Sequence, residues 1–556
     1  MDERRLLLAV AMSLLVLTAY SLLFPAAPPQ PQPPVPVASQ PLATPAPAEA
    51  GAPTTESPST PSAAPVPAVA DERERRVEVA GPDFSVAFSN RGARLVSWTL
   101  GRYKDARGAP EEMVPAAGAG IRPLDVETGV ADVDARLREA LFRASAETVH
   151  VAPGAPAPLR FEYSDGQIEA EKSLEFEATG LLTLRVRVKQ NGRELPAKIL
   201  WGPGIGNPSA DERKVQGYLE PSGVVLGPAG VERRVTKKLP EAGERLAGVR
   251  WIGVESHYFT ALFVAPQGSL AGELRARSVT PPGAETPELL PVAAADASGG
   301  QPVALLVGAK DYSALARLGH GFERVVAVGD WLGPIVVPLM NLLRWVHGHL
   351  GNWGWSIVAL TVLINLAMAP LRHYSVVNGI KMAKLGPEMR QIQDRYRKVP
   401  LMDPRRQQMQ DEVAALYSKH GMNMGSQMLV GCLPLLLTMP FLFAFYRVLT
   451  VSIELRGASF LWIPDLAQKD PLFVTPVLMG LSMYVMQKLT PSTLDPAQQR
   501  VMMLMPLILG GMFLAAPAGL NLYWLTSNLW SILQQAVSLR LLAPQRAGAG
   551  KDKKPR

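Results

Sequence analysis

Apolar positions along this chain follow different rhythms, and each rhythm predicts a different kind of element. From Val77 to Val328 they alternate with polar ones. In "LTLRVRVK", Leu182, Leu184, Val186 and Val188 share one face, and Thr183, Arg185, Arg187 and Lys189 the other. Period two marks a half-buried antiparallel strand. "DFSVAFS", "APLRFEYS", "KSLEFEAT", "SHYFTALFVA" and "PVALLVGA" read alike, with Gly and Pro between them. A large, exported all-β domain, a sandwich, is expected over residues 77–328.

Residues 329–350 change rhythm. Asn341, Arg344 and His347 recur at helical spacing, and Trp331 and Trp345 lie among apolar residues. This predicts an amphipathic helix on a membrane–water boundary, with Pro334 and Pro338 near its start. From residue 351 to 541 the apolar runs lengthen to membrane-crossing size. Five spans are expected, at about Trp353–Leu371, Met428–Leu449, Pro471–Leu489, Val501–Ala516 and Gly519–Leu539. A sixth run, Leu6–Phe24, follows Arg4 and Arg5 and makes residues 1–24 an uncleaved signal anchor. Residues 25–76 are rich in Pro, Ala, Ser and Thr, have almost no large apolar residues, and read as an extended linker.

Charge fixes the expected topology. Between the first two of the five spans lie Arg372, Lys381, Lys384, Arg390, Arg395, Arg397, Lys398, Arg405, Arg406 and Lys419. The tail, residues 542–556, holds Arg546, Lys551, Lys553, Lys554 and Arg556. The loop Thr450–Asp470 has only Arg456 and Lys469 as cations. The positive-inside rule then puts both termini in the cytoplasm and residues 77–328 outside. Residues 375–421 read as a cytoplasmic helical hairpin. One stripe is Ile380, Ala383, Met389, Ile392 and Tyr396, and the other Met409, Val413, Leu416 and Tyr417. Asp403 is the expected N-cap of the second helix and Pro404 its first residue.

The chain has 556 residues and a formal charge of +7. Topology accounts for much of that excess, so it does not point to DNA. The single cysteine, Cys432, lies in an apolar run and reads as a small buried hydrophobe. His150, His257 and His320 are scattered, and no nucleophile elbow or zinc-protease signature occurs in the sequence. No Asp or Glu lies deep in a span. That disfavours the alternative reading, an ion-coupled small-solute transporter or channel. The spans instead carry neutral polar groups, among them Thr361, Asn365, Ser482, Asn521, Thr526, Ser527, Asn528, Gln534 and Gln535. Methionines are dense beside them, Met439, Met479 and Met483 included. Amides and hydroxyls beside pliable methionines suit a surface that handles varied helices.

Four stretches carry a specific resemblance: "GCLPLLLTMPFLFAFYRVL", "SIELRGASFLWIPDLAQKDPLFVTPVLMG", "MQKLTPSTLDPAQQRVMMLMP" and "PAGLNLYWLTSNLWSILQQ". They resemble the YidC-type membrane protein insertases of Gram-negative bacteria. The resemblance is close from Gly351 to about Leu541, and the anchor, linker, sandwich and interfacial helix agree in order. It implies an inner-membrane protein of six transmembrane helices. Five of them form the insertase core, joined to a large periplasmic β-sandwich domain and the cytoplasmic hairpin.

The implied activity is not enzymatic and uses no cofactor or metal. It passes nascent membrane proteins from a cytoplasm-open polar groove into lipid, alone or with the secretory translocon and its accessory subunits. The family's groove arginine stands five residues before the proline of its span; counting back from Pro370, this chain has Asn365 there. Thr361, Met439 and Trp524 resemble other groove-lining positions. Arg372, Ser482, Met483, Tyr523 and Asn528 complete the expected groove, with Arg372 supplying positive charge nearer the cytoplasm. Lys381, Lys384, Arg390, Arg405, Arg406, Lys551, Lys553 and Lys554 are expected to meet the nascent chain or the ribosome. Membrane lipids complete the expected partners.

Overall fold

The computed structural model describes residues 67–116, 120–280, 286–329, 331–396, 399–400, 403–420, 439–490 and 496–542. The anchor, most of the linker, Cys432 with the start of the second core span, and the basic tail lie outside the described residues.

In the β domain the alternating segments form one large sheet. It runs from Gly230–Val235 through Ser222–Gly227, Trp251–Glu255, Phe259–Val264, Val303–Ala309, Leu181–Gln190, Ile168–Phe176 and Ala157–Ser164 to Arg143–Ala144. Arg193–Leu195 adds to Leu181–Gln190, making ten strands. The facing layer departs from a two-sheet sandwich, because it is divided into two five-stranded sheets. One contains Phe84–Ser89 and Arg94–Lys104, the other Leu270–Val279 and Glu288–Asp296. Aromatic rings join the layers. Phe88 meets Phe161 at 5.7 Å and Phe176 at 6.2 Å, and Trp98 bridges to Trp201 of the neighbouring sheet at 6.3 Å.

Exposure differs from strand to strand across the large sheet. Leu182, Leu184, Val186 and Val188 face the core while Arg185 and Arg187 face solvent. Over Phe259–Val264 every residue is buried, because Leu315 of the helix Tyr312–Leu318 and Phe322 of the next turn pack in one cluster with Leu262 and Val264. The all-β expectation missed that helix and Ala131–Glu139. Each is short, and the second buries only Val133, Asp134 and Leu137, too few positions to set a helical period.

Gly333–Leu350 is a helix that buries Val336, Leu339, Met340, Leu343 and Val346 on one side. Pro338 lies inside it rather than at its start. Arg344 reaches the loop 452–473, where its Nε donates to Glu454 Oε1 at 2.7 Å. Next comes Trp353–Arg395, a helix of 43 residues. The span expected to stop at Leu371 continues through Pro370, which removes one N–H from the ladder without ending the helix. Among the described residues its portion Trp353–Met382 is the helix long and apolar enough to cross a membrane; Met439–Val451 and Met502–Ala515 are shorter apolar helices. Val474–Leu489, Pro496–Met512 and Ala518–Leu542 complete the helical part.

Residues 381–395 and the helix Arg405–Lys419 form a compact pair of their own. Met382, Leu385 and Met389 pack on Val413 and Tyr417. Tyr417 Oη donates to Met389 Sδ at 3.2 Å, and Arg395 pairs with Glu412 at 2.7 Å. The second helix begins one residue later than expected. Asp403 Oδ1 accepts from Arg405 N at 2.9 Å, which leaves Pro404 in the capping position.

Candidate functional site: polar seams between apolar helices

An amide or hydroxyl in an apolar helix must find a partner on a neighbour or on its own backbone. Here many of the partners lie on one helix, Ala518–Leu542, which is hydrogen-bonded to two others. Along the first seam Ser527 Oγ donates to Asn365 Oδ1 at 3.4 Å. Asn365 Nδ2 donates to Thr361 O at 2.8 Å, and Thr361 Oγ1 to Ile357 O at 2.6 Å. Further along, Arg372 Nη1 donates to Ser531 Oγ. Gln534 Nε2 donates to Ala369 O at 2.7 Å, and His373 Nδ1 meets Ser538 Oγ at 3.0 Å. From the Asn365–Ser527 contact to the His373–Ser538 contact the numbers rise on both sides, so the two helices run parallel.

A second seam joins the same helix to Val474–Leu489. Asn528 Nδ2 donates to Ser482 Oγ at 3.0 Å, Ser482 Oγ donates to Met479 O at 2.6 Å, and Gln535 Nε2 reaches Leu489 O at 2.7 Å. Aromatic rings close the end nearest Ala518. Tyr523 stacks on Phe445 at 4.3 Å, and Trp524 meets Phe513 edge-on at 4.8 Å. Gly480 and Gly510 let Val474–Leu489 and Pro496–Met512 approach closely, a Cβ on Gly510 coming to 3.5 Å from Gly480 Cα.

The expected groove residues therefore differ in setting. Thr361 is fully buried, Asn365 and Ser482 nearly so, and Arg372, Met483, Tyr523, Trp524 and Asn528 are partly exposed. Met439, the first described residue of Met439–Val451, is exposed. Arg372 has Ser531 as its hydrogen-bond partner among the described residues, with no carboxylate within ion-pair distance. Lys381, Lys384, Arg390 and Arg405 are exposed on the separate helical pair, where Arg405 is held by Asp403 at 2.7 Å and Arg406 Nη2 donates to Val399 O at 2.9 Å. Lys551, Lys553 and Lys554 lie outside the described residues.

Ser531, Ser538 and His373 were not anticipated. Their signal was present: Ser527, Ser531 and Ser538 fall on one helix face at spacings of four and seven.

The helical core with its buried amides and hydroxyls, carrying a β-rich domain, defines a class. Residues 76–342 match the YidC periplasmic domain family, and residues 345–545 match the 60Kd inner membrane protein family. The membrane protein insertase YidC of Geobacter metallireducens is 31% identical over 556 residues, spanning 98% of this chain and all of that protein. Its counterpart in Geobacter sulfurreducens is 33% identical over 471 residues, spanning 82% of this chain and 84% of that one. A solved structure of an active YidC insertase with its first transmembrane domain resolved aligns over 85% of this chain and 94% of its own, with 16% identity and a TM-score of 0.34. The chain belongs to the YidC family of membrane protein insertases.

Proposed function

We propose that insertion by this chain proceeds by exchange of hydrogen bonds along the two seams. In the resting protein Ser527 donates to Asn365, and Asn528 to Ser482. A client's short polar segment entering from the cytoplasm replaces those partners, which keeps the exchange near-neutral in energy. Apolar client residues slide past Met439, Met483 and Trp524, and the finished helix partitions into lipid, which supplies the driving force. No covalent bond is made or broken and no cofactor takes part.

The observation that carries this reading is Arg372 on the same seam as Asn365, with a neutral hydroxyl as its partner. Seven residues separate the two, about two helical turns. With no carboxylate paired to it among the described residues, Arg372 supplies positive charge roughly 10 Å further along, toward the cytoplasmic end, where water and headgroups make it cheaper to hold.

In this reading six spans place both termini in the cytoplasm and the β domain in the periplasm. The helical pair, with Lys381, Lys384, Arg390, Arg405 and Arg406, makes first contact with the nascent chain. The tail lysines 551, 553 and 554 meet ribosomal RNA, and the β domain meets accessory subunits of the translocon. A photo-crosslinking amino acid placed at Met439, Met483 or Trp524 tests it with a stalled single-span client. Crosslinks at these sites, and none at the exposed Leu507, support the reading. Equal crosslinking at all four would overturn it.

A further inference from the structure

The loop between Met439–Val451 and Val474–Leu489 contains a two-residue turn with large apolar side chains at its tip. Phe460 N donates to Ile463 O and Ile463 N to Phe460 O, both at 2.8 Å, so Leu461 and Trp462 are the turn residues. Leu461 has φ of +52°, a conformation that glycine or asparagine adopts far more easily. Yet its side chain is 67% exposed, and Trp462 beside it is 39% exposed. Phe473, with φ of +54°, repeats the pattern at 41% exposure, next to Leu472 at 64%.

The turn is rigidly mounted. The Phe460 ring lies where any side chain at Gly354 would stand, and it meets Trp355 edge-on at 5.3 Å. Asn352 Nδ2 donates to Ser459 O at 3.1 Å. Trp462 Nε1 donates to Asp470 Oδ1 at 3.1 Å, while Asp470 Oδ2 accepts from Thr475 N at 2.7 Å and so holds the start of Val474–Leu489. Two apolar pairs, each with one residue on a backbone that disfavours it, are thus fixed to the starts of two core helices.

We infer that this turn is a lipid anchor, with Leu461, Trp462, Leu472 and Phe473 seated in the outer leaflet of the bilayer. The occupant follows from continuity. Leu472 and Phe473 lead directly into a helix whose Val477, Leu481 and Tyr484 are exposed and apolar, the surface that lipid must cover if the helix spans. Trp462 has the interfacial habit, its N–H satisfied by Asp470 and its ring left bare. The turn would set how deep the outer ends of the core sit. The inference rests on the membrane placement proposed above.

An environment-sensitive fluorophore on single cysteines tests it, in a Cys432→Ser background reconstituted into phosphatidylethanolamine–phosphatidylglycerol nanodiscs. Leu461→Cys should emit in the blue, be quenched by a shallow spin-labelled lipid and be shielded from iodide. Leu481→Cys should be quenched by a deeply labelled lipid, and Leu289→Cys on the β domain by iodide. Iodide quenching at position 461 equal to that at 289, with 481 still in lipid, would overturn the anchor. Iodide quenching at 481 as well would overturn the membrane placement beneath it. Should Leu461→Cys fail to accumulate, Leu472→Cys reads the same surface by the same criteria.

Discussion

Arg456, in the loop before Val474–Leu489, reaches the β domain, its Nη1 2.8 Å from Glu111 Oε2. The same group donates to Lys104 O at 3.1 Å, and Nη2 lies 3.4 Å from Glu212 Oε2. The guanidinium also sits over the Phe259 ring at 5.4 Å. Two acids share one cation at the junction of domain and core. Arg456→Ala should therefore leave two buried carboxylates unpaired and cost about 3–5 kcal/mol of docking stability. Arg456→Met with Glu111→Gln and Glu212→Gln should recover most of it. Limited proteolysis of the loop, compared across the variants, measures this.

The junction should also respond to pH. Burial raises the pKa of Glu111 and of Glu212 above the ordinary carboxylate value, against the pull of Arg456. Groups that hold their protons more tightly in the folded chain than in the unfolded one stabilise the fold fully below their unfolded pKa, and that contribution is lost as pH rises through the raised value. The fold around these two acids should thus gain stability as pH falls from neutral toward the carboxylate range. Glu111→Gln with Glu212→Gln should flatten the dependence, measured by the same proteolysis across pH.

On the first seam, Asn365→Leu should reduce client insertion several-fold with little loss of stability, since interhelical hydrogen bonds of this kind average roughly 0.6 kcal/mol. Asn365→Arg should be tolerated. Arg372→Ala should be worse in the Asn365→Leu background than alone. A complementation assay with an insertion-dependent client reads all three. Normal insertion by Asn365→Leu, with Asn365→Arg unstable, would make Asn365 a packing amide only.

Removal of Lys384 to Lys419 should block insertion while the remaining helices still fold, measured by client protection and by thermal stability in detergent. Ribosome binding through the tail, Arg546 to Arg556, should weaken steeply with salt, and salt-independent binding would contradict an RNA contact.

Much of this architecture was legible as periodicity. The strand Leu181–Gln190 was readable residue by residue because solvent covers one of its faces. The strand Phe259–Val264 was read as half-buried like the others, but both its faces are covered. Lys172 shows what pattern alone missed. It lies on the inward face with Ile168, Ala170, Leu174 and Phe176, and its ammonium is held by the carbonyls of Ala93 at 2.7 Å and Leu124 at 2.8 Å. Those partners are remote in sequence, so no local pattern announces them. The seams were half legible. Asn365, Ser482 and Asn528 stand out as amides and hydroxyls in apolar runs, but which helix satisfies each is a property of packing. Arg456 read as an ordinary loop cation because Glu111 and Glu212 lie hundreds of residues away.

Proteoliposomes holding only this chain and a small single-span client test the central claim most directly, that the helical core inserts proteins by itself. Protease protection of the client is the readout, with the full chain and with a variant lacking residues 77–316 that keeps the helix Gly333–Leu350. Expected is insertion well above that of protein-free liposomes for both, without nucleotide and without translocon. Protection no greater than in empty liposomes with the full chain, or its complete loss in a stably folded deletion variant, would contradict the claim.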